Sequence, residues 1–156
     1  MQAVLEFFGR FHPLLVHLPI GILMVATLFE LLSTRGTRFS GLRPALPMLY
    51  LLGSLGAVGA CLTGYVLSLS GDYGGDLLLQ HQWPGILTAT LGFFIFFLHQ
   101  RQQPKLWLSL LLLVLLSVAG HFGGSLTHGS DYLLAPLQAD DESAKITITD
   151  PEQALV

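Results

Sequence analysis

The stretch Lys105–His128, "KLWLSLLLLVLLSVAGHFGGSLTH", decides the fold. Its only charge before the histidines is Lys105, at the first position. At about 1.5 Å per residue a helix of this length reaches roughly 35 Å, enough to cross the ~30 Å hydrocarbon layer of a bilayer. A helix that is apolar all round is buried or spans a membrane. The end of the stretch runs into "GHFGGSLTHGSDY", Gly120–Tyr132, where His121 and His128 stand seven apart among glycines. That polar ending to an apolar span poses the functional question.

Working outward, three more segments have the same character: His12–Ser33, Leu46–Leu69 and Trp83–His99. Together they predict an all-α integral membrane protein. It is a four-transmembrane-helix bundle over residues 1–135, with helices at 12–33, 46–69, 83–99 and 105–128 and a polar tail or linker at 136–156. Pro13 suits the first turn of helix one, and Pro19 is expected to kink it. No internal repeat is evident. Composition agrees with the span count. Of 156 residues 52% are hydrophobic and 11% charged, less than half of the roughly 25% charged share of soluble domains. Mean hydropathy is +0.64. No basic patch interleaved with aromatics points to nucleic acid. The single cysteine, Cys61, can form no internal disulfide, and no Cys-x-x-Cys-His site for a c-type haem is present. "MQAVLEFFGRF" lacks a basic n-region and a cleavage site, so a signal peptide is not expected.

Charge sets the expected orientation. Arg35, Arg38 and Arg43 lie between helices one and two, Arg101 and Lys105 between helices three and four. By the positive-inside rule these five mark the cytoplasm. Asp72, Asp76, Asp131 and the acidic tail then lie outside, and both termini are expected in a bacterial periplasm, with the chain multi-pass in the inner membrane. Glu30 falls near the inner end of helix one, where snorkelling or pairing with Arg35 accounts for it. On helix two, Gly53, Ala57 and Cys61 recur every four residues, as do Gly56, Ala60 and Gly64. Such rows let helices approach closely or leave a face for a flat cofactor.

Topology gives the histidines a common address. His12, His17, His81, His121 and His128 all fall at the outer ends of their segments, and only His99 is inner, as an interfacial residue. His17 and His121 match in depth, roughly 8–10 Å below the outer surface at the helical rise. His12 precedes a proline, which biases it out of the helix as a rim residue. Polar groups inside a membrane need partners and mark candidate sites. Iron in haem b takes axial histidines, and four-helix bundles house cofactors between facing helices. The expected axial pair is His17 with His121. His81 with His128 would serve a second haem, giving one or two in all. Gly120 and Gly124, with Gly123, would give a porphyrin room or form another packing row, and Arg10 would meet a propionate or a lipid headgroup. Asp131 and Tyr132 cap helix four. A non-haem metal-binding membrane protein or an oxidase-like enzyme stays open, because imidazole suits copper, iron and zinc as well. So does a cofactor-free anchor or assembly subunit with hydrogen-bonded histidines.

The segments "FHPLLVHLPIGIL" (Phe11–Leu23), "HQWPG" (His81–Gly85) and "GHFGGSLTHGSDYL" (Gly120–Leu133) resemble a bacterial four-helix membrane domain family found beside periplasmic c-type cytochromes. In many members the domain precedes a planctomycete-type cytochrome c module in the same chain. The resemblance spans about Phe11 to Leu133. It implies an electron-transfer partner on the periplasmic side, a c-type cytochrome separate or fused. Joined to the histidine reading, this gives a redox carrier subunit more than a stand-alone enzyme, passing electrons to or from that cytochrome; quinol oxidation at the outer leaflet is a possible input that no residue demands. No module with a Cys-x-x-Cys-His motif follows in this sequence. The absence of a cytoplasmic-side ligand pair argues against electron flow across the whole membrane.

Overall fold

The computed structural model describes residues 2–69 and 74–137, and among them it is helical with no strand. A short helix α1 (Gln2–Gly9) and a single turn α2 (His12–Leu15) lead into α3 (His17–Ser33). A 3-10 helix (Thr37–Ala45) then turns the chain into α4 (Leu46–Ser68), followed by α5 (Gly75–Gln100) and α6 (Leu106–His128). Four stretches are long and apolar enough to cross a membrane. The expected polar tail, beyond Leu137, and Asp72 lie outside the described residues.

Prolines shape the spans. The break between α2 and α3 falls at Val16, next to the carbonyl of Leu15 that Pro19 cannot meet with an N–H. The sequence reading started the third helix at Trp83, beside Pro84. The helix instead begins eight residues earlier at Gly75 and carries Pro84 in its interior. Membrane helices tolerate such a proline where neighbouring groups take up the freed backbone; the carbonyl freed here is that of Gln80, four residues before Pro84, and Thr88 Oγ1 separately donates to the Pro84 carbonyl at 2.8 Å. His81 therefore stands inside α5, not before it.

The helices form an antiparallel ring. α3 packs on α4, α4 on α5, α5 on α6, and α6 returns to α3. Leu23, Ala26, Leu46, Tyr50, Ile95, Leu108 and Leu112 form the apolar core. Polar residues turn inward with them: Thr27, Ser54, Thr88, Ser109 and Ser125 are buried, while Leu28, Leu62, Phe94, Phe97 and Val114 are exposed. Hydroxyls inside and large apolar side chains outside suit a bundle whose solvent is lipid.

The small-residue rows of α4 are helix contacts. A Cβ on Gly53 would stand 2.6 Å from Leu23 Cγ, and one on Gly56 3.4 Å from Pro19. α1 closes on the far end of α4, where Gly9 meets the Leu67 backbone at 2.8 Å from its would-be Cβ. Cys61 lines a groove of about 310 Å³ on the bundle's flank with Val58, Leu62, Ile86, Ala89, Thr90 and Phe93.

Burial reveals a repeat that residue identities hide. In α3 the buried positions include Pro19, Leu23, Ala26 and Glu30; in α5 the same spacing gives Thr88, Gly92, Ile95 and His99. In α4 they include Tyr50, Gly53 and Ala60; in α6 the same spacing gives Ser109, Leu112 and Ala119. The hairpins α3–α4 and α5–α6 thus share part of a buried pattern, at the spacing of a one-sided helix face, while Thr27, Ser33, Ser54 and Ala57 of the first have no buried counterpart in the second. Leu23 lies against Gly53 within the first hairpin, whereas Gly92 lies first against Ser54 of α4, in the other hairpin, and then against Leu112 of α6.

Candidate functional site

The bundle carries polar clusters at both ends. At the histidine end, His12 of α2 and His81 of α5 approach edge to face, ring centroids 5.9 Å apart and 80° between planes. Each ring is half-buried and anchored through Nδ1: His12 to the Ala60 carbonyl and His81 to the Ala119 carbonyl, both at 2.9 Å. A carbonyl only accepts, so each Nδ1 carries the proton and each Nε2 keeps its lone pair. That is how a ligating imidazole is oriented through its second nitrogen. The glycine one turn beyond each accepting carbonyl makes room for the ring. A Cβ on Gly64 would stand 2.8 Å from His12 Cε1, and one on Gly123 3.0 Å from His81 Cε1.

The other expected site residues stand apart from this pair. His17 is exposed, with Nδ1 2.6 Å from the Pro13 carbonyl, and it makes no ring contact with His121 among the described residues. His121 and His128 are exposed and flank Tyr132, at centroid distances of 6.1 and 6.0 Å. His81 contacts His12 and not His128. The glycines divide by neighbour. Gly120 has nothing within 4 Å of a would-be Cβ, whereas Gly124 accommodates the Tyr132 phenol. Neither forms a row against another helix. Arg10 is ion-paired at the surface with Glu6 at 2.6 Å. Among the described residues no three His, Cys, Asp or Glu side chains converge as a metal-binding group.

The second cluster, at the end bearing Arg35, Arg38, Arg43, Arg101 and Lys105, corrects two sequence readings. Glu30 was expected to snorkel or pair with Arg35, and His99 to be interfacial. Both face the interior instead, 3% and 8% exposed. Glu30 Oε2 accepts hydrogen bonds from Tyr50 Oη at 2.7 Å and Ser109 Oγ at 2.5 Å. Oε1 faces His99 Nε2 at 3.5 Å. That distance exceeds a hydrogen bond, and Nε2 is a fully buried atom with no hydrogen-bond partner. The His99 ring stacks on Tyr50, centroids 5.4 Å apart at 20°. Each of α3, α4, α5 and α6 contributes one side chain. The reason is energetic: an unpaired carboxylate in apolar surroundings is costly, and two hydroxyls plus a facing imidazole supply what water would. A signal was present in the sequence, since Glu30 and His99 both sit near the basic ends of their helices, and the depth argument applied to the other histidines applies here too.

A family model described as "Predicted membrane protein (DUF2231)" matches residues 10–131. The match covers most of the chain, and the chain belongs to that family. No curated protein and no solved structure matches it.

Proposed function

We propose that this DUF2231 protein is a redox carrier subunit of the bacterial inner membrane, holding a metal centre at its histidine end and exchanging electrons there with a periplasmic c-type cytochrome. The observation that carries the reading is the His12–His81 pair: two imidazoles from different helices, each with Nδ1 committed to a carbonyl. A metal about 2 Å from each of two opposed imidazole nitrogens holds the ring centroids roughly 6 Å apart. The centroids stand 5.9 Å apart with the rings edge to face, so one imidazole would turn to bring its Nε2 opposite the other's.

Haem b is the first candidate, because two axial histidines and a membrane bundle suit it. Its iron would supply one-electron exchange. His12 and His81 would be the axial residues, replacing the depth-matched His17 and His121. The chain's own part is to fix both imidazoles in one tautomer and to keep water out with the flanking helices. One observation favours a second candidate, a bare copper or iron ion. The spaces at Gly64 and Gly123 are filled by the imidazoles themselves, so a porphyrin would need the helices to part. The positive-inside rule puts this end in the periplasm, and the resemblance to cytochrome-associated domains supports the choice of partner.

The test is a visible spectrum of the purified protein, oxidised and dithionite-reduced, with metal analysis. A low-spin b-type spectrum lost in His12→Ala and His81→Ala, and kept in His17→Ala, is the expected result. Stoichiometric copper or iron without a Soret band selects the bare ion. Neither signal, under haem- and metal-replete expression, leaves a cofactor-free anchor and refutes the proposal.

A further inference from the structure

We infer that Glu30 and His99 form a proton-holding site at the basic end of the bundle, distinct from the histidine pair and independent of its metal. The two carboxylate oxygens differ. Oε2 is saturated by Tyr50 and Ser109, and no hydrogen bond reaches Oε1 among the described residues. His99 Nε2 is buried, unpartnered and aimed at that free oxygen from 3.5 Å. Closing the gap by a few tenths of an ångström would make a charge-assisted hydrogen bond, which runs at about 2.7–2.9 Å. Both atoms are thus presented to each other, and neither is committed.

The occupant that fits is a single proton. With the proton on Nε2, the pair is an imidazolium facing a carboxylate. When it moves, the Nε2–H bond breaks, its electron pair stays on nitrogen, and an O–H bond forms on Oε1. The result is a neutral acid facing a neutral imidazole. Both arrangements have zero net charge, so moving the proton within the pair adds no charge to the apolar interior, where it would be expensive; releasing it leaves one negative charge, on a carboxylate whose Oε2 keeps the Tyr50 and Ser109 donors. A divalent metal would find one carboxylate and one imidazole and leave a net positive charge. Tyr50 and Ser109 hold Oε2 in place, so the exchange is confined to Oε1.

The charged and titratable surroundings are few. α3 contributes Glu30, with Arg35 just beyond its end; α4 contributes Tyr50; α5 contributes His99, with Arg101 beyond its end; α6 contributes Ser109, preceded by Lys105. From the 3-10 helix, Arg43 Nη2 donates to the Ser33 carbonyl at 3.0 Å. None of these basic groups has an ion pair with Glu30 among the described residues, so His99 is the partner that balances it. The repeat supports the assignment. Glu30 follows His12 by eighteen residues, and His99 follows His81 by eighteen. The same pair of helix positions that brings two imidazoles together at one end brings acid and base together at the other.

The test uses the full chain in lipid nanodiscs, with labelled glutamate and histidine, followed by infrared difference spectroscopy and indicator-dye proton counting between about pH 5 and 8, where histidines ordinarily change charge. Glutamate and imidazole bands are expected to change together. One proton per chain should be bound reversibly, lost in Glu30→Gln and in His99→Gln, and retained in His12→Ala. Tyr50→Phe keeps the ring stack and serves if Glu30→Gln does not fold: it should retain the proton and shift the carboxyl band. A wild-type carboxylate band that stays fixed across the range overturns the proposal. So does stoichiometric metal that disappears with His99→Gln.

Discussion

The four-helix contact at Glu30 can be measured as a coupling. Tyr50 and Ser109 donate to the same oxygen, Oε2, at 2.7 and 2.5 Å. Hydrogen bonds to charged groups contribute about 1.5–3 kcal/mol in proteins generally, while interhelical bonds in membranes average nearer ~0.6 and reach ~1.7 kcal/mol. Tyr50→Phe leaves the ring in place against His99, and Ser109→Ala removes little volume, so each single change should cost about 1 kcal/mol. Each leaves Oε2 with one donor. The double variant leaves it with none, buried, so its loss should exceed the sum of the singles by at least about 1 kcal/mol. Independent sites add within roughly 0.3–0.5 kcal/mol, so the excess is resolvable. Reversible unfolding in mixed detergent micelles, followed by circular dichroism, gives all four free energies. Additivity within that scatter would refute the shared-oxygen geometry.

Two further outcomes follow from the glycines. Gly123→Ala puts a methyl 3.0 Å from His81 Cε1; it should displace His81 from the Ala119 carbonyl and cost about 1–3 kcal/mol by overpacking, whereas Gly120→Ala, inside α6 with nothing within 4 Å, should cost nothing in the same unfolding assay and gain up to about 1 kcal/mol of helix propensity. Gly53→Ala drives a methyl to 2.6 Å from Leu23 Cγ and should destabilise by a similar ~1–3 kcal/mol; combining it with Leu23→Ala should recover part of that loss, and a double variant weaker than the sum of the two singles would argue against direct contact.

The span count and the close approach of helices one and two were legible because they rest on local quantities: apolar length, and small residues every fourth position on α4. The start of α5 was not, because Pro84 reads as a boundary in isolation, whereas packed membrane helices carry such a proline inside a span. The clustering of histidines at one end was legible from charge topology. Their pairing was not. Depth alone favours His17 with His121, but His12 and His17 stand five apart on different faces, and it is the face of His12 that meets α4 and α5, at the Ala60 carbonyl and His81. Glu30 and His99 were misread for the same reason. A lone carboxylate near a helix end snorkels unless three other helices deliver donors to it, and those donors, Tyr50, Ser109 and His99, are spread across the sequence.

The neighbours of Gly53 and Gly92 bear on how the chain assembles. The first hairpin contains its own bump and recess, Leu23 against Gly53, so it can close once α3 and α4 have entered the bilayer. The recess at Gly92 is filled first by Ser54 of α4 and only then by Leu112 of α6. α5 therefore finds its full set of neighbours when the first hairpin is already in place. Assembly in the order of synthesis meets that requirement without rearrangement.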